Sequence, residues 1–213
     1  MFARNVVVVE NEPLMRDLIG KTLEGAGFKV TTAANAADAK RAHLAIDPDA
    51  MVIDIELGPG PDGFDLAAAV IAESPELAVV FLTNLPDPRL VGKDTKSIPK
   101  NAAYLRKSNL VDANELVAAL NAVLQNETSQ LARHDLDANR PLAGLSAKQL
   151  EVLKQIAEGL SNQQIADARG TSVRAVEGMI SRVFEALNID VQSEGNSRVD
   201  AVKKFFVATR PSE

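Results

Sequence analysis

The first 125 residues of this chain alternate short, uninterrupted apolar runs with segments of helix length, and that alternation leaves few folds open. The runs are Val6-Val7-Val8-Val9, Ala50-Met51-Val52-Ile53, Val79-Val80-Phe81-Leu82 and Ala102-Ala103-Tyr104-Leu105, with a weaker one near Phe28-Lys29-Val30-Thr31. Strands that are apolar at every position are buried on both faces, as in a parallel sheet covered by crossover helices. Right-handed crossovers then favour a doubly wound, five-stranded parallel α/β sheet of order 2-1-3-4-5, with the first and third strands flanking the switch point. Helices are expected from Pro13 to the Gly25-Ala26-Gly27 stop, over residues 35–46 and 64–73, and from Asp112, where Glu115 completes a capping box.

The strong runs end in residues that carry chemistry. Asp54 closes the Ala50 run, Thr83 the Val79 run, and Lys107 follows Arg106 at the last; the first leads into Glu10-Asn11-Glu12. Open α/β sheets bind ligands at the carboxyl ends of their strands. An acid cluster, a carboxylate nucleophile, a hydroxyl and a lysine on one such edge can hold Mg2+ and a transferred phosphoryl group. Any one of these residues alone would simply mark where a strand meets water. Four on the same edge make a site.

Composition removes several function classes. With no cysteine there are no disulfides, no thiol catalysis and no cysteine-ligated zinc. His43 and His134 are too few for a histidine-rich metal site; His43 reads as surface or boundary packing on the second helix, and His134 as a solvated linker residue. No apolar run approaches the roughly 20 residues that span a bilayer, and Met1-Phe2-Ala3-Arg4 leads straight into a strand without a signal-peptide core. A cytoplasmic protein without membrane contact is expected. The net charge of −6 lies mostly in residues 1–125, where 12 basic face 17 acidic side chains, against 11 and 12 thereafter.

These residues resemble the receiver domain of bacterial two-component response regulators, over about residues 4–125. The resemblance implies a flavodoxin-like fold in which a sensor histidine kinase phosphorylates Asp54. It implies that Glu10, Asn11, Asp54 and the backbone carbonyl of Glu56 hold Mg2+, that Thr83 and Lys107 contact the phosphoryl oxygens, and that Tyr104 changes rotamer with Thr83. Gly63 matches the turn glycine after the phosphorylation loop. Some positions depart from the family. Asn11 stands where an aspartate is usual and is a poorer ligand for a hard cation, so Mg2+ binding is expected to be weakened. Asn84 follows Thr83 where a small residue is usual, and Ser108 follows Lys107 where proline is usual. Residues 86–100 lack a helical apolar stripe, so the fourth receiver helix is expected to be short, displaced or disordered.

From Asn126 to Pro141 the chain turns polar and reads as a linker, dividing the chain into 1–125, 126–141 and 142–213. Helix starts then become unusually legible. Ser146 with Gln149 and Ser161 with Gln164 are capping-box patterns, and Ser172 can cap a third helix whose apolar residues Val176, Ile180, Val183, Phe184 and Leu187 keep helical spacing. Two short helices joined by a turn at Gly170 read as a helix-turn-helix. The stretch resembles the LuxR/NarL type of DNA-binding domain, a small all-α four-helix unit, through Leu145-Ser146, Glu151-Val152-Leu153, Ala157-Glu158-Gly159-Leu160-Ser161-Asn162 and Ser197-Arg198-Val199-Asp200-Ala201-Val202. Residues 190–196 look like an insertion. The resemblance places Arg174, Glu177, Gly178, Ser181 and Arg182 near the major groove of double-stranded DNA. Because the domain is nearly neutral, one copy should bind weakly, and a homodimer on a two-fold site is the expected remedy.

The expected function is that of a transcriptional response regulator, not an enzyme. The alternative is an atypical receiver that regulates DNA binding without phosphorylation, which Asn11 and Asn84 would permit. An aspartate-nucleophile phosphohydrolase fits less well. It expects an aspartate two residues after the nucleophile, where this chain has Glu56, and paired acids after the lysine, where it has Ser108-Asn109-Leu110-Val111.

Overall fold

A computed structural model of the chain describes residues 3–85, 87–93, 98–99, 101–127, 132–137, 142–190 and 196–209. It folds into two compact units. The first is built from the described residues up to Leu85 and from Ile98 to Leu136, the second from Asp87 to Lys93 and from Asp137 onward.

The first unit is a five-stranded parallel sheet of order β2-β1-β3-β4-β5. The strands are β1 (Asn5–Val9), β2 (Lys29–Ala33), β3 (Ala50–Ile53), β4 (Ala78–Thr83) and β5 (Ala103–Arg106). Four helices alternate with them: α1 (Pro13–Gly25), α2 (Ala36–Ile46), α3 (Gly63–Glu73) and α4 (Ala113–Leu124). Parallel pairing runs Val9 opposite Ile53, Ile53 opposite Phe81 and Thr83 opposite Arg106, so the carboxyl ends of β1, β3, β4 and β5 lie along one side of the sheet. The two-residue period divides the core: Val6, Val8, Val52, Val80, Leu82 and Leu105 meet α1 and α4 through Ile19, Leu23, Leu116 and Leu120. Phe81 lies against Phe64 of α3, with ring centroids 4.9 Å apart, and Tyr104 is 6.4 Å from Phe81.

Local chemistry sets the helix starts. Asn35 accepts a hydrogen bond from the Asp38 N–H at 2.9 Å, and Asp62 one from Asp65 at 2.8 Å. Asp112 caps α4 by accepting from Asn114 at 2.6 Å, but Glu115 accepts from the N–H of Val111 rather than that of Asp112, so the expected box is not closed. Between β4 and β5 the described residues hold one short 3-10 turn, Pro88–Val91, in place of a fourth receiver helix; residues 86, 94–97 and 100 of that segment lie outside the described ones.

Both histidines are placed differently from expectation. His43 is only 4% exposed, because with Ala36 and Ala39 it makes the inner stripe of α2; its Nε2 meets the Ser74 hydroxyl at 3.4 Å, at the end of α3. His134 is not solvated linker either. Residues 132–136 belong to the first unit and lie along the open edge of β5, where Tyr104 bridges to Arg133 and the His134 Nδ1 accepts from the Arg106 N–H at 3.0 Å. Asp135, fully buried, pairs with Arg133 at 2.7 Å. An edge strand leaves unpaired backbone groups, and this short segment satisfies some of them.

The second unit holds α5 (Ala147–Ala157), α6 (Asn162–Arg169), α7 (Val173–Ala186) and α8 (Ser197–Thr209). Both expected capping boxes are formed: Gln149 and Gln164 accept from the N–H groups of Ser146 and Ser161 at 2.8 Å, and the serine hydroxyls accept in return at 3.3 Å. Gly170 ends α6 in the left-handed region at φ 60, a conformation that favours glycine, and so turns the chain into α7. Leu150, Leu153, Ile165, Val176 and Val183 close the core. Arg198 fixes the start of α8 to that of α6, donating to Asn162 Oδ1 at 2.9 Å and to the Leu160 carbonyl. Of the expected insertion at 190–196, residues 191–195 lie outside the described residues.

Candidate functional site

The carboxyl edge of the sheet carries a buried three-residue cluster. Asp54 follows β3 and is 6% exposed; its N–H donates to the Val9 carbonyl, which continues the ladder and fixes the carboxylate at the switch point. Glu10, 1% exposed, follows β1 in the same way through the Ala33 carbonyl. Lys107, directly after β5, donates to Glu10 Oε2 at 2.6 Å and to Asp54 Oδ2 at 2.9 Å. The remaining oxygens are also used: Glu10 Oε1 accepts from the Glu12 N–H at 3.0 Å, and Asp54 Oδ1 from the Glu56 N–H at 3.3 Å. Two buried carboxylates would repel each other without a cation between them. The Lys107 ammonium fills that place. Burial pulls its pKa down, but Asp54 and Glu10 outweigh burial and hold it above the ordinary lysine value.

The Glu56 carboxyl is pushed above the usual carboxylate range by partial burial and then by Asp54, an effect that Lys107 opposes. Asn11 is exposed beside the loop after Glu56, where a Cβ built on Gly58 would lie 3.9 Å from its amide nitrogen. Gly63 opens α3 directly under the site, its N–H donating to the Ile55 carbonyl at 3.0 Å. Thr83 and Tyr104 are brought together, but through Leu85 rather than with the charged cluster. Thr83 Oγ1 accepts from the Leu85 N–H at 3.1 Å, and the Tyr104 hydroxyl donates to the Leu85 carbonyl at 2.8 Å. Both residues are fully buried. One contributor escaped sequence reasoning. Arg16 reaches back from α1 to the carbonyls of Glu10 and Asn11, at 2.6 and 3.2 Å, and no local pattern marks it.

In the second unit, α7 buries Val176, Ile180, Val183 and Phe184 and exposes Arg174, Glu177, Ser181 and Arg182, with Gly178 half-buried among them. The stripe is continuous because the buried positions keep the 3.6-residue period. Arg182 lies along the helix against Met179 Sδ at 3.7 Å, and the Ser181 hydroxyl donates back to the Glu177 carbonyl at 3.0 Å. No helix among the described residues is long and apolar enough to cross a membrane.

Comparison with known proteins agrees with both units. Residues 6–121 match the family described as response regulator receiver domain, and residues 143–203 match bacterial regulatory proteins of the luxR family. The chain is 29% identical over 174 residues to the transcriptional regulatory protein FixJ of Azorhizobium caulinodans, covering 81% of this chain and 80% of that protein. It is 29% identical over 182 residues to the oxygen regulatory protein NreC of Staphylococcus epidermidis, covering 78% and 81%. Among solved structures, the two-component response regulator RcsB in complex with DNA shares the fold at a TM-score of 0.60 and 18% identity, covering 95% of this chain and 99% of that one. The response regulator ChrA of a heme-sensing two-component system does so at 0.52 and 23%, covering 96% of each. With its 2-1-3-4-5 sheet and its helix-turn-helix, the chain belongs to the response regulators: it is a DNA-binding transcriptional regulator with an N-terminal receiver domain and a C-terminal LuxR-type domain.

Proposed function

We propose that Asp54 is the phosphoacceptor through which a sensor histidine kinase controls DNA binding by α7. Phosphorylation by a kinase is the general mechanism of such regulators, and receiver domains generally bind Mg2+ at the phosphorylation site. The contact of Lys107 with both Glu10 and Asp54 is the observation that carries this reading. Asp54 Oδ2 is the nucleophile: it forms the new P–O bond as the bond from phosphorus to the kinase histidine nitrogen breaks. The Glu56 N–H holds Oδ1 and so fixes the direction of attack. Lys107 is a positive charge already in reach of the product. Thr83 donates its hydroxyl to a phosphoryl oxygen once it turns from Leu85, and Tyr104 follows because Leu85 connects the two.

The donor set fits Mg2+, since the carboxylates of Glu10 and Asp54, the Asn11 amide oxygen and the Glu56 carbonyl are all hard oxygens. Mg2+ bound there supplies charge neutralisation and alignment of the phosphoryl oxygens. Asn11 contributes an uncharged oxygen, so a weaker affinity than that of a site with a further carboxylate follows. In α7, Arg174 and Arg182 approach phosphate or base edges in the major groove, Glu177 can accept from a cytosine amino group, and Gly178 and Ser181 allow close approach of the helix. The receiver domain comprises residues 1–125 together with the 132–136 segment along β5, the DNA-binding domain residues 142–213, and the active form is a cytoplasmic homodimer on a two-fold site.

Incubation with acetyl phosphate and Mg2+, followed by intact mass and DNA affinity on one sample, tests the reading. The parent is expected to gain one phosphoryl mass and Asp54→Ala none. An equal gain in Asp54→Ala removes Asp54 from the mechanism. Full modification with unchanged DNA affinity favours phosphorylation-independent regulation, to which the neutral Asn11 points. For the DNA face, Arg182→Ala and Arg174→Ala are each expected to weaken binding by roughly tenfold, with a salt slope reduced by about one where a phosphate contact is lost. Parent-like affinity in both would take α7 out of the interface.

A further inference from the structure

The guanidinium of Arg182 does not stand straight out from α7 but folds along it. Its Nη2 lies 3.7 Å from Met179 Sδ, and its Nη1 3.9 Å from the point where a Cβ on Gly178 would stand. The missing side chain at 178 leaves room for this, and residues 179 and 182 meet because positions three apart are neighbours on a helix surface. A thioether sulfur is a weak acceptor, so the hold on Arg182 is slight and the guanidinium stays available to a groove. Met179 itself is half-buried at the flank of the face that carries Arg174, Glu177 and Arg182, and it lines a cavity of about 200 Å3 whose wall also carries Lys148 and Arg169. With four methionines and no cysteine in the chain, oxidation of sulfur falls on methionine alone. Met51 is fully buried in β3, Met15 packs against the receiver core, and Met1 lies outside the described residues. Met179 combines a sulfur that opens on a cavity with a cation already beside it.

We propose that Met179 is an oxidation site, taking one oxygen from a peroxide, and that its sulfoxide withdraws Arg182 from DNA. The proposal rests on the reading of α7 as the DNA-binding helix and adds to it a control that does not pass through Asp54. In the step itself the sulfur lone pair attacks one peroxide oxygen, so that the S–O bond forms as the O–O bond breaks. The departing hydroxide takes the proton of the transferred oxygen and leaves as water; the sulfur has lost two electrons and the peroxide has gained them. Lys148 and Arg169 put positive charge on the wall of the cavity into which the hydroxide leaves. The product is a polar sulfoxide in place of an apolar thioether, and its oxygen is a strong acceptor where the sulfur was a weak one. A guanidinium already at 3.7 Å then makes a charge-assisted hydrogen bond to it and is held along the helix. The charge of Arg182 remains, but its reach into the groove is lost. Sulfoxide reductases of the two epimer classes restore the thioether, so the switch is reversible.

The test uses the full chain, Met179→Leu and Arg182→Ala, each titrated with hydrogen peroxide and followed by peptide mass and by affinity for a DNA duplex selected on the parent from a random-sequence library. The parent is expected to gain the mass of one oxygen at Met179 before Met15 or Met51, to lose affinity about tenfold as it does so, and to regain it after treatment with the reductases. Met179→Leu, which keeps the side-chain volume, is expected to bind within about twofold of the untreated parent and to ignore the peroxide. Arg182→Ala separates withdrawal of the guanidinium from a general loosening of α7: once oxidised at Met179 it should bind no more weakly than before. Earlier oxidation at Met15 or Met51, an unchanged affinity in the oxidised parent, a parent-like response in Met179→Leu, or a further tenfold loss in oxidised Arg182→Ala each overturns the proposal. Untreated Arg182→Ala that binds the duplex as tightly as the parent overturns the reading of α7 instead, and the proposal with it.

Discussion

Replacing Gly63 with alanine is expected to lower the melting temperature of the receiver unit by roughly 10 °C, through overpacking on the order of 3 kcal/mol. A Cβ at this position would lie 2.3 Å from the Asp54 carbonyl oxygen and 2.8 Å from the Ile55 Cα. Both obstacles are backbone, so no side-chain rotation can relieve them. The two ways out are to push α3 away from the end of β3 or to displace Asp54 itself, and either loosens the site. Phosphoryl uptake in Gly63→Ala is therefore expected to fall along with stability. Gly25→Ala is the matched control, because a Cβ at the last residue of α1 meets nothing within 4 Å. It should be neutral or stabilising by up to about 1 kcal/mol. Differential scanning calorimetry of the three proteins checks this, and equal transitions for Gly63→Ala and the parent would show that the close approach of α3 to Asp54 is not what holds the loop.

The reach of sequence reasoning in this chain follows the range of the interactions. Strands buried on both faces show as runs such as Val6–Val9, and caps such as Ser161 with Gln164 lie three residues apart, so both are written locally. Asp54 and Lys107 are legible because each directly follows a strand, and the topology brings them to 2.9 Å. What local pattern cannot carry is a side chain whose partner is a distant backbone group. Arg89 with the Leu142 carbonyl spans 53 positions and His134 with the Arg106 N–H 28, and neither leaves a periodic trace. His43 misled for a related reason: its polarity signals surface, whereas its spacing from Ala36 and Ala39 puts it on the buried stripe. Even the family resemblance has this limit. It locates Thr83 and Tyr104 as a pair but not Leu85, the backbone through which they meet.

Lys107→Ala carries the other large expectation, because Lys107 is the cation that lets Glu10 and Asp54 be buried together. Removing it leaves two carboxylates, 1% and 6% exposed, facing each other, at a cost of about 3–5 kcal/mol. The effect should be strongly non-additive with Asp54→Ala. The double variant has one buried carboxylate fewer, so it is expected to be more stable than Lys107→Ala alone, a coupling seen only between groups that share partners. Mg2+ in excess should recover part of the loss in Lys107→Ala, since hard oxygens freed of the ammonium are offered to the ion, and should recover less in the double variant. The pH dependence has a fixed sign. The folded-state pKa of Lys107 is raised above its unfolded value, so its contribution is complete below the ordinary lysine range and is lost as pH rises through the folded value. At neutral pH the parent therefore has the full benefit, and urea titrations of the three proteins with and without Mg2+ measure it. A Lys107→Ala transition that coincides with that of the parent in the absence of Mg2+ would mean that some other group neutralises the pair. Arg16, bonded to the Glu10 carbonyl, would then be the residue to test next.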